Sequence, residues 1–260
     1  MRLPLDVPRP PTAPPAGSRW RDLLLGRVIP VLAFGAALVV QGSHARTAVA
    51  LAARRGATTA DLLGAVDSAL LLAYYAVLVG LYCVRLPATG GDRRPRVLIA
   101  AFAGAYLITT VPLMPQAPRR DWLLWPSDIL TVAGLLFTLW SLLYLRRSFS
   151  ILPQARRLVT GGPYRLCRNP LYLGEVVGGW AAFLPTIGWA GAAVLATSLG
   201  FQLVRVFAEE GVLARSFGQE YLHYRQRVPR FLPSPRRWRR DSEKTARESR
   251  AGGGLTAGLR

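Results

Sequence analysis

Lysine, histidine and cysteine are close to absent from this 260-residue chain. Lys244 is its single lysine, so the formal charge of +19 rests on arginine. His44 and His223 stand alone, without companion ligands, and no metal-ligand spacing occurs anywhere. Two cysteines cannot build a disulfide framework. Cys83 lies in an apolar run as a small core residue. Cys167 sits beside Arg165 and Arg168, which would lower its pKa if it were exposed, but a spacer role suits it better. The N-terminus has no signal-peptide pattern, because residues 3–15 are Pro-rich with no apolar core. A basic excess alone suggests nucleic acid, yet no binding motif accompanies it, so no nucleic-acid partner is expected.

Half of the residues are apolar. They come in runs of about 17–23 residues, long enough to cross a hydrocarbon layer of roughly 30 Å. The arginines lie between those runs, which fits basic loops beside anionic lipid headgroups. The runs predict spans at 23–40, 62–84, 97–114 and 129–145. Arg27 snorkels near the first, and Asp67 lies about one turn inside the second. A polar connection with Arg46, Arg54 and Arg55 separates those two. Trp122 and Trp125 precede the fourth span as a headgroup-level belt. From Leu171 to Phe207 the chain stays apolar for too long to be one straight span, and Pro185 with Gly188 offers a break. Two helices, 171–184 and 187–207, are therefore expected as a hairpin.

The fold class expected is all-α: a polytopic membrane helix bundle of about six transmembrane helices, including that C-terminal helical hairpin. Residues 1–19 form a disordered Pro-rich N-terminus. Residues 20–147 carry the N-terminal helices, 148–233 a cofactor-binding region, and 234–260 a disordered basic tail. The segment 146–170 holds six arginines and no acid, which places it and both termini in the cytoplasm. The basic stretch 42–61, placed outside by that scheme, runs against the same bias.

Two pieces carry the chemistry. LVTGGPYRLCRNPLYLGE, from Leu158 to Glu175, is a polar Gly/Pro-broken loop leading straight into an apolar helix. Gly161 and Gly162 permit a tight turn and close backbone approach. Asn169 is a good helix N-cap, and Pro170 suits the first turn. Amide groups at that start could face an anion, and Tyr164 and Tyr172 offer flat faces with hydroxyls for an adenine or a ribose. RVFAEE, from Arg205 to Glu210, places Arg205 and Glu209 on one helix face, with Glu210 about 100° away. Each piece alone admits a plainer reading: an interfacial turn with snorkelling arginines, or a surface ion pair at a helix exit. Charged groups at a membrane boundary nevertheless need a partner, a ligand or water, and these two pieces flank one hairpin.

Those runs, followed by FGQEYLHYRQRVPRFLP, resemble the isoprenylcysteine carboxyl methyltransferases, a family of integral-membrane enzymes. The resemblance covers about residues 148–233. It implies S-adenosylmethionine as methyl donor, contacted by Arg157, Leu158, Val159, Tyr164, Asn169, Pro170, Leu171, Tyr172 and Glu209. It further implies Arg205 as the catalytic residue that engages the methyl acceptor. Asn169 departs from the family's histidine at that position and cannot carry its charge. A carboxylate acceptor needs no general base, and carboxyl O-methylation is the nearest family activity. The acceptor would be a lipophilic small molecule or a lipidated protein, met in a multi-pass protein of a bacterial plasma membrane with its catalytic face cytoplasmic. Alternatives are a phospholipid N-methyltransferase-like enzyme, an NADPH-dependent membrane reductase and a non-catalytic membrane protein. Glu175 would reach the site or pair with a loop arginine. Residues 217–231 read as an amphipathic helix on the membrane surface, anchored by Tyr221 and Tyr224.

Overall fold

The structure is a computed structural model and describes residues 23–56, 58–84, 90–91, 94–149, 154–155 and 157–232. The expected Pro-rich N-terminus at 1–19 and basic tail at 234–260 lie outside the described residues. Six α-helices follow one another: α1 (Ile29–Arg55), α2 (Thr59–Cys83), α3 (Pro95–Tyr106), α4 (Leu124–Leu145), α5 (Pro170–Ala181) and α6 (Trp189–Arg227). A π-helical turn precedes α1, and a 3-10 stretch, Leu107–Leu113, prolongs α3. Gly90–Gly91 and Gln154–Ala155 form a two-residue antiparallel ladder. The chain is a polytopic helical bundle. Among the described residues, four helical segments are long and apolar enough to cross a membrane: Gly64–Cys83, Pro95–Leu113, Asp121–Leu145 and Trp189–Arg227. Apolar side chains such as Leu32, Val39, Ile99 and Trp189 face outward, as lipid-facing surfaces require.

Two boundaries differ from expectation. The stretch after Val40 is not a loop, because α1 runs on to Arg55. Its sequence there, ARTAVALAARR, is rich in alanine, and high intrinsic helix propensity carries the helix through its arginines. The chain then reverses at Gly56, and α2 starts on a reciprocal cap: Asp61 N–H donates to Thr58 Oγ1 at 3.2 Å, and Thr58 N–H donates to Asp61 at 2.8 Å. At the other end, α6 does not stop near Phe207. It continues to Arg227 through one non-helical residue, Gly218, at φ +50°. That left-handed geometry strains any residue with a Cβ, and it redirects the last turns over the preceding loop.

The tightest packing joins α4 to α5 through small residues spaced four apart: Gly134 and Thr138 on one, Gly174 and Gly178 on the other. A Cβ at Gly134 would strike the backbone of Gly178, and one at Gly174 would strike the Thr138 side chain. Such small faces let membrane helices approach closely enough for hydrogen bonds between them. Ser127 Oγ donates to the Ala181 carbonyl at 2.6 Å, and Thr131 Oγ1 lies 3.5 Å from the Gly178 carbonyl. The turn after α5 is strapped by Ala117 N–H to Thr186 O at 2.8 Å and Arg120 N–H to Pro185 O at 2.9 Å. These contacts fix α5, which brings Asn169, Tyr172 and Glu175 to the site.

Candidate functional site

A hollow of about 840 Å³ opens where the 157–169 loop, the start of α5 and the second half of α6 meet. Arg157, Leu158, Val159, Tyr164, Asn169, Leu171, Tyr172 and Glu209 line it together. Pro170 is buried at the first turn of α5. Eight of the nine positions implied for the donor thus line one space, although about 50 residues of chain separate the first from the last. The Tyr172 hydroxyl donates to Glu209 Oε1, joining the two sequence pieces. Burial first, and the Glu209 charge second, push the Tyr164 phenol well above its usual pKa.

One brace closes this hollow that the sequence reading did not contain. Glu210 Oε2 accepts from Arg230 Nη2 at 2.9 Å, and Glu210 Oε1 accepts from Arg230 Nε at 3.1 Å. Arg168 Nη2 lies 3.4 Å from Glu210 Oε1, with both side chains 8% exposed. Asn169 Nδ2 donates to the same carboxylate at 3.1 Å and to the Arg230 carbonyl at 3.3 Å. The backbone closes alongside: Arg168 N–H donates to Pro229 O at 2.8 Å, and Asn169 N–H to Arg230 O at 3.2 Å. A doubly bonded carboxylate between two guanidinium groups is the strong form of ionic contact when water is excluded.

Two expectations are corrected here, and the spacer role expected of Cys167 agrees with its burial. Asn169 occupies the N-cap position, but its side chain makes no cap hydrogen bond; the amide is spent on Glu210 and Arg230, and its own N–H is taken by Arg230. Tyr221 and Tyr224 are not membrane anchors, for they are buried and line the hollow. The turn at Gly218 faces them inward, and the Tyr224 hydroxyl donates to Tyr164 O at 2.7 Å. Cys167 is not activated by its arginine neighbours. Burial pushes its thiol up to about 11, with an opposing backbone hydrogen bond from Asn169. It is a packing residue.

A second cavity, about 1080 Å³, lies among α1, α2, α3, α4, α5 and α6. It is mostly apolar, with Phe34, Leu71, Ile108 and Trp180 in its walls. Arg205 belongs to this cavity and not to the first. It sits between them: its guanidinium carbon stands 4.9 Å from the centre of the Tyr172 ring, a cation–π contact across the partition. Phe149 lines both spaces. Glu175 is in the second cavity and, among the described residues, pairs with no loop arginine; it accepts from Tyr74 Oη at 3.1 Å and Gln202 Nε2 at 3.2 Å. Gln202 Oε1 in turn accepts from Arg205 Nη1 at 2.8 Å.

Sequence reasoning missed Arg168, Glu210, Arg230, Tyr221 and Tyr224 as parts of the site. The signal for Glu210 was present, since it is the second of two adjacent acids in an apolar helix. Nothing local pointed to Arg230.

Residues 122–220 match the family model of the phospholipid methyltransferases. This region, less than half of the chain, is similar to the phospholipid methyltransferases. The match takes in α4, whose packing against α5 holds the site, and reaches to the last turns of α6. The chain is 34% identical over 118 residues to the nickel-cobalt-cadmium resistance protein NccN of Alcaligenes xylosoxydans xylosoxydans, covering 42% of this chain and 52% of that one. It is 40% identical over 77 residues to methanethiol S-methyltransferase 1 of Bradyrhizobium diazoefficiens, covering 30% of this chain and 25% of that one. The chain therefore spans about half, or less, of the curated relatives it matches. Among solved structures, the eukaryotic intramembrane Ras methyltransferase ICMT aligns with 22% identity and a TM-score of 0.44 over 69% of each chain.

Proposed function

We propose that this chain is an integral-membrane methyltransferase that binds S-adenosylmethionine in the polar hollow and takes a lipophilic acceptor into the apolar cavity. The observation that carries this reading is the shared partition. Tyr172 faces the hollow, Arg205 faces the cavity, and the two side chains touch. A donor and an acceptor held on either side of it would meet at one point.

The residues of the hollow fit this donor. Arg168 Nε and Nη1 and the Tyr221 hydroxyl are buried and make no hydrogen bond among the described residues. Such unmet donors are costly and suit an anionic group such as the donor's carboxylate. Glu209, on the opposite piece, supplies the negative charge that a sulfonium requires. When bound, the donor supplies an activated methyl group for in-line transfer. The chain's own part is to orient and desolvate. Tyr172 and Glu209 hold one wall, the Glu210 brace keeps the lid segment 228–230 closed, and Arg205 marks the acceptor side.

The acceptor is expected to come from the lipid phase, and the site to face the cytoplasm of a bacterial plasma membrane. A carboxylate acceptor, the chemistry the sequence resemblance implies, would need Arg205 as its counter-charge. The reading is tested by incubating membranes that contain the protein with radiolabelled S-adenosylmethionine. Label should enter extractable lipid, base-labile ester or protein, and Arg205→Ala should lower its incorporation by about 100-fold. Membranes that acquire no label above a protein-free control would contradict it.

A further inference from the structure

The charges around the apolar cavity select against a carboxylate. Arg205 is the one cation among its described lining residues, and two acids already surround that guanidinium. Glu209 lies on the partition through its contact with Tyr172, and Glu175 is joined to Arg205 through Gln202. The orientation of Gln202 fixes the state of this chain of contacts. Arginine can only donate, so the Gln202 oxygen must face Arg205, and its NH₂ must then face Glu175. The Glu175 carboxyl accepts from that NH₂ through one oxygen and from the Tyr74 hydroxyl through the other. An incoming carboxylate at Arg205 would stand only one side chain, Gln202, away from Glu175. Two like charges sharing one low-dielectric site is the costly arrangement.

The remaining polar atoms in the cavity are neutral. The Tyr106 hydroxyl and Thr138 Oγ1 line it, are buried and make no hydrogen bond among the described residues. They suit a neutral polar head that can donate or accept. Resting on the methyltransferase reading above, we propose that Glu175 is the acceptor-selecting and proton-accepting residue of this cavity, and that the acceptor is an uncharged lipophilic thiol or phenolic hydroxyl. Unlike a carboxylate, such a group must lose a proton, and the ordinary acidities of the cysteine thiol and the tyrosine phenol, about 8.5 and 10, show that such protons come within reach of a positioned base. The step balances. The acceptor's sulfur or oxygen forms the bond to the methyl carbon, and the carbon–sulfur bond of the sulfonium donor breaks with its electron pair left on sulfur. The acceptor's S–H or O–H proton passes to the Glu175 carboxylate and later to water.

The test uses the full chain in lipid nanodiscs, with 4-octylphenol and dodecanethiol as neutral probes and dodecanoate as the charged one. Binding is measured first, without donor. Wild-type protein should bind 4-octylphenol at least about tenfold more tightly than dodecanoate, and Glu175→Gln should erase that preference. The glutamine is isosteric and can keep the contact with Tyr74, so the bundle is preserved. Dodecanoate bound as tightly as octylphenol by the wild type, or an unchanged preference in the variant, would overturn the proposal. Turnover with labelled donor comes second. Label should enter the phenol or the thiol, and Glu175→Gln should slow it by about 100-fold or more while leaving donor affinity unaltered. Label in dodecanoate, label in neither neutral probe, or a variant as fast as the wild type would equally overturn it. Selective octylphenol binding by a protein that binds no S-adenosylmethionine would instead sink the methyltransferase reading and its proton transfer, with the Glu175 filter upheld.

Discussion

The polar hollow and the apolar cavity lie on either side of Tyr172, and they hold their charges in different ways. In the hollow, Glu210 is clamped directly by Arg168 and Arg230, and the clamp joins a loop, a helix and a C-terminal segment. In the cavity, Glu175 and Arg205 are kept apart by one neutral amide, Gln202. The first arrangement is a brace: remove one member and buried charges are stranded. The second is a relay in which each side chain keeps a contact when a neighbour changes. The comparison predicts that substitutions in the hollow damage both structure and donor binding, whereas those in the cavity damage turnover alone.

The largest effect should come from Glu210→Ala, which breaks the brace. Leaving Arg168 buried without its partner should cost about 3–5 kcal/mol. Thermal unfolding in detergent should shift down sharply, and donor affinity measured by calorimetry should fall with it. A variant that keeps the wild-type melting temperature would remove the brace from the account. Next comes Arg205→Ala on the cavity side, expected to lower turnover by about 100-fold while donor affinity stays within about threefold. Equal losses of both would show that the partition does not separate the two functions.

A smaller effect is expected where both cavities depend on the same scaffold. Gly134→Leu would wedge α4 from α5 at the Gly178 backbone, at a cost of about 1–3 kcal/mol. Donor binding and turnover should fall together, which contrasts with Arg205→Ala. The smallest concerns Cys167. With its thiol pushed up to about 11 by burial, the neutral form is favoured, and only roughly one in a thousand is thiolate at pH 8. Maleimide labelling of Cys167 should be negligible at pH 8 and rise as pH approaches 11. Rapid labelling at neutral pH would show that the loop is open to water.

The helical bundle was legible because long apolar runs interrupted by arginine leave few other structures open in lipid. The Tyr172–Glu209 contact was legible as well, since both residues sit at motif positions on pieces that flank one hairpin. The Glu210 brace was not. Helix geometry correctly turned Glu210 about 100° from Glu209, but its partner Arg230 returns only because Gly218 redirects the chain at φ +50°. A single glycine inside an otherwise helical pattern does not announce such a turn. The same turn converted Tyr221 and Tyr224 from expected surface anchors into buried lining. The extension of α1 to Arg55 was hidden for another reason: its arginines read as a loop, while helix propensity decided the structure. Glu175 was visible in sequence, yet its link to Arg205 passes through Gln202, 27 residues away, and its other partner, Tyr74, lies 101 residues away.

The central claim, that two distant chain segments close on one methyl donor, is tested most directly by calorimetric titration of S-adenosylmethionine into the purified chain. Wild-type protein should bind it, and Tyr172→Ala and Glu209→Ala, one on each segment, should each weaken binding by about tenfold or more. Binding left intact in both variants, or no binding by the wild type, would contradict the account.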